Sequence, residues 1–183
     1  MTNKAGSITG QLSPEILILG YLCSGPRYGY EMHKQASHDL ADVWHISQSQ
    51  LYSIIKRLAA RNEIVVDEVP QDKLPARQLL HLTEKGRERF NTWLGQVATS
   101  SARVIRLEFV TRCYFLGLQN LDLIEPAFTN QISAVENSIR RLEKRLSTFS
   151  NIDVYNRMSI KLRIMQLEVT KKWLVDWSHE INS

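Results

Sequence analysis

The sequence is short of several things. It holds two cysteines, Cys23 and Cys113, far apart and each in apolar company. That fits reduced core residues of a cytosolic protein better than a disulfide, and two thiols alone cannot build a zinc site. No apolar run approaches the roughly 18 residues that suggest a membrane span. The opening segment, MTNKAGSITGQL, is polar and has no apolar signal core, so a cytoplasmic protein is expected. There is no glycine-rich phosphate loop and no HExxH, and the five histidines (33, 38, 45, 81 and 179) do not fall at metal-ligand spacings. Enzyme activity, a metal and a cofactor are therefore not expected. Charge of one sign is also scarce. The net charge is +4; residues 1–98 hold 11 Lys/Arg against 10 Asp/Glu, and residues 99–183 hold 12 against 9. That balance is compatible with a nucleic-acid partner but does not say which half would meet it.

What is present is a core and a pattern. The hydrophobic fraction of 43% is ordinary for a globular chain of 183 residues, enough for one large domain or two small ones. Ser13-Pro14-Glu15 reads as a helix start, followed by ILILGYL, apolar nearly all round and so buried. Gly25-Pro26 ends it, and a second helix is expected from about Tyr28 to Leu40, with a thin stripe of Met32, Ala36 and Leu40 and with Tyr30, His33 and Lys34 turned outward. Ser47-Gln48-Ser49-Gln50 has the form of a capping box opening a third helix. Leu51, Ile54, Ile55 and Leu58 make its buried face; Gln48, Ser49, Tyr52, Ser53 and Lys56 make the opposite one. Hydrogen-bonding groups of that length reach base edges and phosphates. Ile64–Val66 and Leu79–Leu82 have strand composition, with PQDKLPAR as a basic turn carrying Lys73 and Arg77. Thr83 then opens a fourth helix with Phe90, Trp93, Leu94 and Val97 as its stripe. A helix with a polar outer face running into two strands and a basic turn suits a winged helix-turn-helix.

The order of LILGYLCSGPRYGYEM, SQSQLYSIIKRL, the wing and LTEKGRERFNTWL resembles the PadR family of bacterial transcriptional regulators, above all in GYE after a Gly-Pro turn and in SQLY. The resemblance continues through RLEFVTRCYFLGL and is most suggestive of the phenolic-acid-responsive branch. It implies phosphate contacts from Tyr30 and Tyr52, groove contacts from Ser49 and Gln50, and a wing contact from Arg77. Ser47, Gln48, Lys56 and Lys73 complete the candidate DNA-binding set. The chain departs from many relatives in having Ser53 where they have proline, and Gln78-Leu79-Leu80 where they have Lys-Tyr-Tyr.

The C-terminal half reads as helices. Residues 99–120 suggest a linker and a helix broken at Gly117 and QNLD, with Val104, Ile105, Phe109, Val110, Cys113 and Phe115 near the core. From Phe128 a heptad seam runs through Ile132, Val135, Ile139, Leu142, Leu146 and Phe149, with Arg140, Arg141, Lys144 and Arg145 on the solvated faces. Asn151-Ile152-Asp153 makes a turn. The last helix carries two apolar stripes: Met158, Leu162, Met165, Val169 and Trp173, and Ile160, Ile164, Leu167, Leu174 and Ile181. Two stripes need two covers. One is the preceding helix; the other is a second copy of the chain, or the winged domain of the same chain.

The fold expected is mainly α: a winged helix-turn-helix DNA-binding domain with a linking helix over 1–98, and a C-terminal antiparallel helical dimerisation domain over 99–183. The function expected is a dimeric repressor of an inverted-repeat operator, with double-stranded DNA and a second copy as partners and no membrane. Dimerisation is assigned to Leu162, Met165, Val169, Trp173 and Trp177. A small aromatic effector such as a phenolic acid follows from the resemblance, with Trp93, Arg106, Phe109, Tyr114 and Trp173 as residues that could hold it. The alternative is a winged helix and coiled coil that binds protein and no DNA.

Overall fold

Residues 13–71, 74–101, 104–150 and 153–181 are described by a computed structural model. The chain divides into two units, Met1–Gln96 and Val97–Ser183. Helix α1 (Glu15–Leu22) is buried at every position, as an all-apolar helix must be. It is covered by α2 (Gly29–Asp39), α3 (Gln48–Ala60), α4 (Glu84–Leu94) and the sheet. Met32, Ala36 and Leu40 are buried as the thin stripe predicts. His33 is not an outward group: its Nε2 donates to the Ile46 carbonyl at 2.8 Å and ties α2 to the segment that opens α3.

The sheet is antiparallel, in the order β1 (Arg27–Tyr28), β3 (Leu74–Leu82), β2 (Ile64–Gln71). The two-residue strand β1 is not visible in the sequence. The wing is longer than its composition suggests, because both strands run on through the supposed turn PQDKLPAR and leave only positions 72–73 between them. Proline is tolerated at strand edges and irregularities. Pro70 sits where the β2 register shifts between Val69 and Gln71, and Pro75 lies where β3 has β2 alone beside it, since β1 pairs only with Leu79 and Leu80. Lys73 lies outside the described residues.

In the second unit a π-helical turn, Ile105–Phe109, leads into α5 (Val110–Gln119). Gly117 does not break this helix, which ends instead where Asn120 turns extended and caps the short 3-10 turn Leu121–Leu123. Two long helices follow, α6 (Ile124–Leu146) and α7 (Val154–Glu180). Arg157 reaches the Phe149 carbonyl at 3.3 Å, and Lys171 meets Glu136 at 2.9 Å. Fourteen residues forward on one helix match thirteen backward on the other, so the pair is antiparallel. Asn151 and Ile152, assigned to the turn, lie outside the described residues.

The α6 seam is shifted from expectation. Ile124, Phe128, Gln131, Val135, Ser138 and Ile139 are buried, whereas Ile132 is half-buried. A glutamine takes the core position because its amide forms a reciprocal pair with Ala98. The Ala98 N–H donates to Oε1 at 2.9 Å, and Nε2 donates to the Ala98 carbonyl at 3.0 Å. A buried amide is accepted when both its ends are satisfied. This pair also places Ala98 in the second unit. Burial of Glu108 and Arg112, joined at 3.0 Å, was likewise not foreseen. On α7, Ile160, Leu167 and Leu174 are buried, while Met158, Leu162, Met165 and Val169 are 57–71% exposed.

Candidate nucleic-acid interface

Helix α3 begins as its capping box dictates. The Gln50 N–H donates to Ser47 Oγ at 3.3 Å, and the Ser47 N–H donates to Gln50 Oε1 at 2.9 Å. Ser47 Oγ also lies 3.0 Å from Ser49 Oγ. Ser47 and Gln50 therefore act first as local caps; the oxygen of the Gln50 side chain is already engaged. Leu51, Ile54, Ile55 and Leu58 are buried, which turns Gln48, Ser49, Tyr52, Ser53 and Lys56 to the outside. Tyr52 is 44% exposed and Tyr30 46%.

The tyrosines belong to a built surface. Gly29 lets α2 approach α3 closely: a Cβ there would stand 3.2 Å from Ile55 Cδ1 and 3.6 Å from both Leu51 and Tyr52. Glu31 accepts the Tyr28 N–H at 3.1 Å and fixes the start of α2. Tyr28 and Tyr30 then stack at 5.8 Å between centroids. The Arg77 guanidinium lies 6.0 Å from the Tyr28 ring and 5.7 Å from the Tyr30 ring. A cation over an aromatic face gains about 0.5–1 kcal/mol at an exposed site and loses rotamer freedom in advance of any partner. Together with Gly29, Tyr52, Ile55, Gln78 and Leu80 these groups line a cleft of about 190 Å³. Sequence reasoning found Tyr30, Tyr52 and Arg77 but missed Tyr28 and Gly29. A glycine at a first helical position, where it is a poor helix former, was the available signal.

Behind α3 lies a cluster that holds it. Glu15 of α1 is 5% exposed and receives Arg57 Nε at 3.2 Å, Arg89 at 2.6 Å and Arg61. Arg89 and Arg61 also reach the buried Glu63. Burial alone would raise the Glu15 carboxyl, but hydrogen bonds from Arg89, Arg61 and Arg57 outweigh it and hold its pKa at about 2. Local rules explain Glu15 as a helix-start residue and give no hint of this role.

The effector candidates fall in both units. Trp93 belongs to the first unit, tilted against Phe90 at 5.9 Å. In the second unit, Phe109 is 2% exposed and packs edge-on against Phe128 at 4.9 Å. It packs as a core residue of that unit. Tyr114 stands edge-on to Phe115, Trp173 is tilted against Trp177, and Arg106 is exposed. The described clefts are lined by other residues. Both cysteines are free thiols; burial raises Cys23 and pushes Cys113 up to about 12, so neither is a ready nucleophile. Among the described residues no helix is long and apolar enough to cross a membrane, and no group of three or more His, Cys, Asp or Glu could hold a metal ion.

Residues 18–92 match a family model described as the transcriptional regulator PadR-like family. Over 126 residues the chain is 22% identical to the negative transcriptional regulator PadR of Bacillus subtilis (strain 168), covering 69% of each. Among solved structures it is similar to Bacillus subtilis PadR in complex with operator DNA, at 21% identity and a TM-score of 0.46, over 91% of this chain and 98% of that one. It is also similar to Bacillus subtilis PadR in complex with p-coumaric acid, at 20% identity and a TM-score of 0.40, over 92% and 95%.

Proposed function

We propose that this chain, whose residues 18–92 match the PadR-like family of transcriptional regulators, is itself such a regulator: a dimeric repressor of an inverted-repeat operator, released by a small aromatic ligand such as a phenolic acid. The observation that carries the reading is the outer surface of α3. Gln48, Ser49, Tyr52 and Lys56 face solvent on one helix, and Arg77 is held beside them on the Tyr28–Tyr30 stack. A protein-binding face would more often present an apolar patch. Here phosphate contacts from Tyr30, Tyr52, Lys56 and Arg77 supply most of the affinity and fix register, while Gln48 and Ser49 read base edges. The curated relative is a negative regulator, which favours repression over activation.

The dimer reading rests on α7. Its row of exposed Met158, Leu162, Met165 and Val169, continued by half-buried Trp173 and by Trp177, runs along a helix whose other side is already buried in its own unit. A second copy bringing the same row covers both at once. Two recognition helices related by a two-fold axis then meet half-sites one turn, about 34 Å, apart. Met165→Glu is expected to shift sedimentation from dimer to monomer and to weaken operator binding. An unchanged sedimentation coefficient would place the dimer seam elsewhere.

Gel-shift titration on the chain's own promoter region tests the DNA reading. Saturable, salt-sensitive binding is expected, and Arg77→Gln should reduce the slope of log K against log salt by about one. Tyr52→Ala should weaken binding and leave the dimer intact. A wild-type protein that gives no salt-sensitive binding there, with or without ligand, would turn the reading toward a protein-binding module. Release by ligand requires unequal affinity for the free and DNA-bound forms; a tenfold shift needs about 1.4 kcal/mol of difference.

A further inference from the structure

The surplus positive charge of the chain does not lie in the winged unit. Residues 140–163 hold seven Lys/Arg against two Asp/Glu, whereas all other residues hold 16 against 17. The excess therefore sits where α6 finishes and α7 begins, within the second unit. On α6, Val135, Ser138 and Ile139 turn inward. Arg140 and Lys144, and beside them Arg141 and Arg145, stand one turn apart in two exposed rows. Their partners are neutral: Arg140 donates to Asn137 Oδ1, Arg141 to Ser138 Oγ at 2.8 Å, and Arg145 lies 5.8 Å from the Phe149 ring centre. Glu136, one turn back, is taken by Lys171 at 2.9 Å. Such contacts hold the side chains and leave their charge uncompensated. A helix C-terminus favours cations in its last turn, which accounts for Lys144 and Arg145 but not for Arg140 and Arg141. Like charges four residues apart weaken a helix, and this face carries two such pairs. The fold pays for a basic face that its own packing does not use.

We propose that this face of α6 is a second contact with duplex DNA, independent of sequence and made through phosphates. Three of its four cations are arginines, whose planar fork matches a phosphate two bonds at a time. The positions between them, Asn137, Ser147 and Thr148, are polar and exposed. An anionic membrane surface would want apolar side chains there. The choice of a duplex among polyanions rests on the DNA-binding reading above. The division of labour follows from the charges. The winged unit is nearly neutral and supplies register and base contacts; the second unit supplies attraction to any duplex, which sets capture rate and salt sensitivity.

Fluorescence anisotropy of the full chain on a labelled duplex of scrambled promoter sequence, titrated with KCl, tests the contact. Salt-sensitive binding by the wild type is expected. The combined variant Arg140→Gln, Arg141→Gln, Lys144→Gln, Arg145→Gln should weaken it at least about tenfold and reduce the slope of log K against log salt by about two to four. Lysine at 140, 141 and 145 keeps the charge and should keep most of the slope. Circular dichroism and sedimentation check fold and assembly. The milder pair Arg140→Gln, Arg141→Gln, which should show about half the slope change, serves if the combined variant does not fold. No salt-sensitive binding by the wild type, or a slope unchanged by the glutamines, would overturn the proposal. So would stronger binding to vesicles of equal parts phosphatidylcholine and phosphatidylglycerol than to the duplex. A wild type that binds promoter and scrambled duplex alike, through these residues, refutes the operator reading and leaves this contact standing. Promoter binding with the scrambled duplex indifferent to the glutamines does the reverse.

Discussion

Replacing Gly86 by alanine is expected to destabilise the first unit by at least about 3 kcal/mol, the upper end of what overpacking costs. A Cβ at this position would stand 2.1 Å from the Glu63 carbonyl oxygen and 2.8 Å from Leu82 Cδ1. The first obstacle is backbone, and it is pinned, because Glu63 O accepts the Thr83 N–H at 3.2 Å. Thr83 in turn caps α4 by accepting the Gly86 N–H at 3.1 Å, and donates its hydroxyl to Asn62 O at 2.9 Å. Relief therefore requires α4 to lift away from the start of β2, which pulls on both bonds and on Phe90, a fully buried residue of the same helix. Helix propensity alone would favour alanine over glycine by about 1 kcal/mol. The two effects have opposite signs, so a urea titration separates them. A midpoint equal to or above that of the wild type would mean that the close approach is not what selects glycine. Against a total stability of about 5–15 kcal/mol, the expected loss is large enough to lower the folded population at 37 °C.

How much of this was legible in the sequence depended on distance along the chain. The α3 cap was readable because both partners, Ser47 and Gln50, lie within one turn. The apolar stripes of α3 and α7 were readable because periodicity is a local property. Long-range pairing was not. Strand β1 has two residues and exists only because β3 arrives beside it from fifty residues away. The wing strands run past two prolines that composition alone reads as turn, since nothing local reveals which strand edges are unpaired. Gln131 is buried because Ala98, far back in the chain, needs both ends of an amide, whereas a heptad rule favours Ile132. In the candidate interface the sequence supplied Tyr30, Tyr52 and Arg77 as separate contacts. Their assembly on Tyr28 depends on the register of Tyr28 with Leu79, which sets Arg77 two residues beyond it. The setting of Arg57 was illegible for the same reason: it owes its orientation to Glu15, forty-two residues earlier.

That dependence makes Glu15→Gln the second large effect. Glu15 joins α1 to α3 through Arg57 and Arg61, and to α4 through Arg89, in a site only 5% exposed. Glutamine keeps the shape and removes the charge, leaving Arg61 and Arg89 with Glu63 alone and taking the one carboxylate from Arg57. Breaking one member of a fully buried ion pair costs about 3–5 kcal/mol; here the loss falls toward the lower end, because the arginines left behind are 31–53% exposed. The depressed carboxyl pKa gives a figure of the same order. The folded protein holds this carboxyl at about 2 against an ordinary 4.5, and that gap corresponds to about 3 kcal/mol. The sign follows from the depressed value. The contribution is complete above 4.5, declines as pH falls from there toward about 2, and is absent below it. The stability difference between wild type and Glu15→Gln, measured by urea unfolding, should thus be greatest near neutrality and should shrink steadily between pH 4.5 and 2. A difference that stays constant across that range would assign the loss to packing, and the arginine cluster would no longer explain why α3 stands where it does.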